Sequence, residues 1–193
     1  GHCGLVLHLL RDPVRVQPLA EKTMQISVEK GSRMAGLLGG ALLGWSLALQ
    51  GQTEDGIALL EQTLNDKSLS GENLRHSKFA AMLGEAYAAA GAHASVIRVV
   101  DEGIQEYQRS HNLLCAPDLW TLKGDALLAL GASDAEVEAS YEAALTLARE
   151  LRARVCEQRA ATGLARLRQG QGRAAEGREL LNEIYTGFSE GFD

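Results

Sequence analysis

Proline is nearly missing from this chain of 193 residues, which has three of them against twenty-one glycines. Each interior proline removes a backbone hydrogen bond and clashes with the turn before it, so their scarcity leaves room for long helices. Cysteine is equally rare. Cys3, Cys115 and Cys156 are odd in number, widely spaced and never arranged as CxxC. That excludes a disulfide framework and points to thiols acting as small core residues in a reduced, cytoplasmic setting. Aromatics make up 5% of the chain, and 19 Lys and Arg face 25 Asp and Glu, for a formal charge of −6. A negative chain with few aromatics argues against a nucleic-acid or anionic-membrane binder. The apolar run Leu5–Leu10 is too short for a signal peptide and runs straight into Arg11-Asp12-Pro13. There is no GxSxG elbow, no phosphate-binding GxxxxGK loop and no catalytic-cysteine context. No enzyme and no cofactor are therefore expected.

What the chain has in excess is glycine, alanine and leucine, on a repeat. Leu83-Gly84-Glu85-Ala86-Tyr87-Ala88-Ala89-Ala90-Gly91 sets Leu83 and Tyr87 on one helical face and closes with a glycine suited to a left-handed helix end. Such closing glycines recur at Gly51, Gly91, Gly131 and Gly172, spaced by 40, 40 and 41 residues. A fixed period of that size with helical content means a solenoid of helical hairpins. The first helices are expected near 32–50, 74–90, 116–130 and 153–169, and the second near 53–65, 94–109, 134–151 and 174–185. In the second helices, stripes run through Gly56, Leu60 and Leu64; Val96, Val100 and Ile104; Val137, Tyr141 and Leu145; and Gly177, Leu181 and Tyr185. Thr53 is expected to cap its helix. A further helix should open at Asp12-Pro13 and end at Gly31, with Pro18 kinking it or delaying its start.

Leu43-Gly44-x-x-Leu47, Leu83-Gly84-x-x-Tyr87, Gly124-x-x-Leu127, Leu164-Ala165 and Trp120 together resemble the tetratricopeptide (TPR) pattern over about residues 10–185. The period is longer than the usual ~34 residues. The resemblance implies an all-α, right-handed superhelical solenoid, with Gly44, Gly84 and Gly124, and Gly56 facing them, where paired helices touch. The expected layout is one TPR-like domain over 1–193. It divides into a partial hairpin 1–31, repeats 32–73, 74–111, 112–151 and 152–185, and a tail 186–193. A narrower resemblance lies at 174–193, at Gly44–Gly51 and at Leu122–Leu128. These stretches are similar to the C-terminal TPR regions of bacterial multidomain signal-transduction ATPases linked to cyclase, winged-helix or LuxR-type domains. It implies the TPR part of a bacterial signalling or transcriptional regulator, although no ATPase or effector segment is present here.

The function expected is non-catalytic: a scaffold that binds a protein or peptide segment in the concave groove that first helices line in TPR proteins. The candidate groove residues are Trp45, Glu85, Asp125, Arg159 and Arg166, with Ala41, Ala81, Thr121 and Thr162 one turn earlier. Trp45 is a natural interface anchor, or else a residue buried against the preceding hairpin. Glu85 and Asp125 would repel a C-terminal carboxylate of the kind that chaperone-binding TPRs grip with lysine and asparagine. Arg152, Arg159, Arg166 and Arg173 recur every seven residues. That stripe is either a solvated face balanced by Glu150, Glu157 and Glu176 or a reader of acidic groups. Glu138, Glu142 and Glu150 look like an ordinary solvated helix face. His111 with Cys115, and Gly1-His2-Cys3, supply too few ligands for a metal. Met34–Gln52 is uncharged and carries Gly36, Gly40 and Gly44 four apart, as paired membrane helices do, but it fits the repeat register as a buried helix. Two alternatives stand beside the scaffold. One is a small-molecule-sensing domain controlling an attached effector. The other is a self-assembly module, forming a homodimer through the apolar N-terminal end at Leu5, Val6, Leu9 and Leu10.

Overall fold

The computed structural model describes His8 and residues 11–65, 73–110 and 116–186, the side chains of 73–77 and 110 excepted. The expected helix over 3–10 with its apolar end, Cys3, Cys115 and His111, and the tail from 187 lie outside the described residues. What is described is all helix: α1 (Pro13–Lys30), α2 (Arg33–Leu49), α3 (Thr53–Leu64), α4 (Asn73–Ala89), α5 (His93–Ser110), α6 (Ala116–Ala129), α7 (Asp134–Glu150), α8 (Arg154–Gly170) and α9 (Ala174–Thr186). The pairs α2–α3, α4–α5, α6–α7 and α8–α9 are antiparallel hairpins, preceded by α1. Each helix packs on the next, and α2 also meets α4, α4 meets α6, and α6 meets α8. First helices therefore stack on one another as well as on their own partners, which makes the molecule an all-α solenoid with one continuous row of first helices.

The ends of these helices follow from local chemistry. Asp12 caps α1 by accepting from the Arg15 amide at 3.0 Å, Pro13 holds its first turn, and Gly31 closes it at φ 63°. Pro18 neither delays nor breaks α1. Its missing amide orphans only the Val14 carbonyl, and Val14 is an exposed residue where water can take that bond. Ser133 and Glu136 form a reciprocal capping box on α7. Thr53 is not a cap: α3 begins after Gln52, with no side-chain cap.

Burial explains why α2 carries no charge after Arg33. It lies between α1 and α3 and against α4, and Leu42, Trp45 and Ala48 have at most 1% of their surface exposed. Among the described residues no helix is long and apolar enough to cross a membrane. The glycine beside the large residue has different work in each hairpin. A Cβ on Gly44 would stand 2.7 Å from the Gly56 carbonyl oxygen, so α2 and α3 touch backbone to backbone. A Cβ on Gly124 would stand 2.8 Å from the Tyr141 ring, and one on Gly163 would collide with the same ring. Tyr141 thus wedges α7 between α6 and α8. Gly84 faces only side chains, Leu122 and Val100, at 3.3 Å.

The expected stripes hold through α5 and α7, where Val96, Val100, Ile104, Val137, Tyr141 and Leu145 are buried. In α3, Thr63 is buried and Leu64 only partly so. In α9, Tyr185 is 61% exposed and Ile184 takes the inner place. With no following hairpin among the described residues, only one side of α9 is covered.

Candidate interaction face

Forty-residue spacing puts side chains of neighbouring first helices in register, and the contacts show it. The Trp45 indole N–H donates to Glu85 Oε2 at 2.5 Å, one row across. Arg159 donates to Asp118 Oδ1 at 3.1 Å in the next row, and the Cys156 thiol lies 3.6 Å from Asp118 Oδ2. Two rows thus run along the first-helix face: Trp45, Glu85, Asp125 and Arg166, and beside it Lys78, Asp118 and Arg159.

At its N-terminal end, Arg11 reaches over Trp45 and donates to Glu85 Oε1 at 2.9 Å. Arg11 has φ 54°, a left-handed conformation rare outside glycine, and stands 40 residues before Gly51, which shares it at φ 95°. The helix-closing register therefore begins one hairpin earlier than the glycines reveal. The His8 ring meets the Trp45 ring edge-on, with centroids 4.6 Å apart. Its Nε2 is 3.8 Å from Glu85, beyond hydrogen-bond reach, and neither ring nitrogen has a partner. Burial, helped by the charge of Lys78, pushes the His8 pKa down to about 3, so the ring is neutral at physiological pH.

At the other end the Tyr141 hydroxyl donates to Asp125 Oδ1 at 2.6 Å. Asp125 reaches solvent, yet protein crowds it on several sides. That lost hydration raises its pKa, opposed by the Tyr141 hydrogen bond and the charges of Arg11 and Arg166. Burial first, then the Asp125 charge, pushes the Tyr141 hydroxyl pKa up.

Several sequence expectations change here. Trp45 has 0% exposure and presents nothing to a partner, because its ring fills the space between α1, α2 and α4. Glu85, 8% exposed, is occupied by Trp45 and Arg11. Asp125 and Arg166 are exposed on the row, and Arg159 is half-buried against Asp118. The seven-residue arginine pattern is not one stripe. Arg152 lies in the turn before α8 at φ 53°, and Arg173 in the turn after it, held by Glu138 and Glu176. Glu138 is likewise no solvated residue, since Arg168 and Arg173 both bond it. Arg11, His8, Lys78 and Asp118 were not singled out from sequence. The signal was present as position: residue 11 precedes Gly51 by one period, and 78, 118 and 159 are spaced by 40 and 41. Among the described residues no group of three or more His, Cys, Asp or Glu could hold a metal ion.

Comparison with solved structures finds the same fold in TPR-like repeat proteins. BtubC (BKLC) from P. vanneervenii superposes with a TM-score of 0.70 at 14% identity, covering 95% of this chain and 76% of that one. A kinesin light chain from Podosopora anserina with nearly identical TPR-like repeats gives 0.61 at 17%, covering 96% and 91%. MamA AMB-1 gives 0.53 at 20%, covering 92% and 96%. At these identities the likeness is one of fold: a TPR-like helical solenoid. No protein-family model and no curated protein sequence matches the chain.

Proposed function

We propose that this protein is a non-catalytic interaction scaffold whose first-helix face forms the concave groove that receives a segment of a protein partner. One observation carries the reading. The first-helix face presents polar side chains in register, with Asp125 and Arg166 exposed and Arg159 and Lys78 half-buried, on an otherwise alanine- and leucine-rich set of helices. Polar side chains in register across separate helices are what an extended segment lying along a solenoid would read. The resemblance at residues 44–51, 122–128 and 174–193 supports a place in a bacterial signalling or transcriptional regulator, with this region as its TPR part. Photo-crosslinking tests the groove. With benzoylphenylalanine at position 166 or 125 in cells, a discrete adduct is expected, and none from position 178 on the outer face of α9. Adducts from 178 alone would refute the groove.

A second reading has one observation behind it. A cavity of about 520 Å³ opens between α3, α4 and α5, floored by Leu64, Ala80, Leu83 and Val99 and rimmed by Glu61 and Arg98. A small molecule bound there would make this a sensing domain and raise the melting temperature by mass action. Flat melts across a metabolite panel would dismiss it.

A further inference from the structure

Among the described residues, both ring nitrogens of His8 are buried and have no hydrogen-bond partner. Such a group costs free energy to bury even when neutral, and far more once it is charged. Shape holds the ring where it is. It closes edge-on over the Trp45 ring, with centroids 4.6 Å apart, and the residue is 8% exposed. Trp45 in turn has no exposed surface and gives its indole N–H to Glu85.

The surroundings offer no place for a proton. Glu85 Oε2 lies 3.8 Å from His8 Nε2, but the two Glu85 oxygens already accept from Trp45 and Arg11. The other charged groups bearing on the ring are Lys78 of α4, Asp118 of α6, Arg159 of α8 and Arg11 before α1. Arg159 bonds Asp118, and the three cations oppose a charge on His8. In water the same imidazole takes a proton near pH ~6.5. A histidine whose closed-state pKa lies below that value adds stability that is whole above it and shrinks as pH falls. Each pH unit below ~6.5 therefore disfavours the closed arrangement about tenfold, down to the closed-state value of about 3. His8 precedes α1 at one end of the described solenoid, so the hairpins beyond it can stay folded while it opens.

We propose that His8 is an acid-sensitive latch: on gaining a proton the ring leaves Trp45 and opens the Trp45–Glu85 pair to solvent. What it uncovers is an indole, a side chain that anchors interfaces, beside the Glu85 carboxylate and Arg11. Mild acid thus adds an apolar anchor to a face that is polar at neutral pH. The latch goes beyond the groove and stands or falls apart from it, since it needs only His8, Trp45 and Glu85.

Two tryptophans give two indole N–H resonances, so solvent exchange at Trp45 can be read on the full chain. Its protection is compared between the parent and His8→Phe from pH 7 down to 4.5, which cancels the intrinsic pH dependence of exchange. Between pH 7 and 5 the parent is expected to lose at least tenfold in Trp45 protection relative to His8→Phe. Helicity by circular dichroism should hold, and Trp120 should change alike in both proteins. His8→Gln, uncharged but polar, should track His8→Phe, while His93→Gln should behave as the parent. A parent-to-variant ratio that stays constant across the range overturns the latch. A loss of protection that helicity follows step for step overturns it as well.

Discussion

Glu85 is the residue on which the most contacts of the first-helix face depend. It takes hydrogen bonds from the Trp45 indole and from Arg11, so removing its carboxylate strands a fully buried N–H. Glu85→Ala should cost about 2 kcal/mol, the usual penalty for unpairing a buried donor from a charged acceptor. Arg11→Gly is a different case. The left-handed backbone at φ 54° costs an arginine roughly 1 kcal/mol, and a half-exposed ion pair returns a similar amount, so the two nearly cancel. Urea denaturation should therefore show Glu85→Ala clearly destabilised and Arg11→Gly close to the parent. Asp125 gives a pH test. Its folded pKa is raised, so its contribution to stability is full below the unfolded value near ~3.9 and is lost as pH rises through the folded one. Asp125→Asn keeps an acceptor for Tyr141 and removes the charge. It should raise the melting temperature at pH 7 and leave it unchanged at pH 3; equal effects at both would show that burial does not govern this group.

At the scale of helices, hairpin packing depends on contacts too close for side chains. A Cβ at Gly56 would meet the Ala48 amide nitrogen at 2.6 Å, and backbone on both sides cannot retreat as a flexible side chain would. Gly56→Ala should cost about 2–3 kcal/mol by overpacking, read as a shift in urea midpoint at constant slope. The capping box of α7 is a smaller matter, and Ser133→Ala should lose about 1 kcal/mol. Helix positions were legible in sequence because closing glycines and i, i+4 apolar residues are local signals. The nine helices described fall within a residue or two of their expected spans. Direction of facing was less legible. Trp45 occupies a groove register but is covered by α1 and by the His8 ring, neighbours that the pattern within α2 cannot reveal. Arg11 hid its register because its side chain is not glycine, although its backbone behaves as one.

For the whole molecule, the row of first helices has a consequence that no single hairpin has. Two core clusters, one spanning α1–α6 and one α7–α9, meet at Trp120, which packs against both. Pairings along that row join Arg11 to Glu85 and Arg159 to Asp118, so the charge of the face belongs to the array rather than to any repeat. Sequence could place each charged residue on a face but could not show which carboxylates the chain itself consumes, since those pairings cross 16 to 74 residues. Amide chemical-shift mapping with the partner segment recovered from the photo-crosslinked adduct tests the account most directly. It predicts perturbations on α4, α6 and α8 centred at Thr121, Asp125, Thr162 and Arg166, with α3 and the outer side of α9 silent. Perturbations confined to Glu102, Arg178 and their neighbours would contradict it.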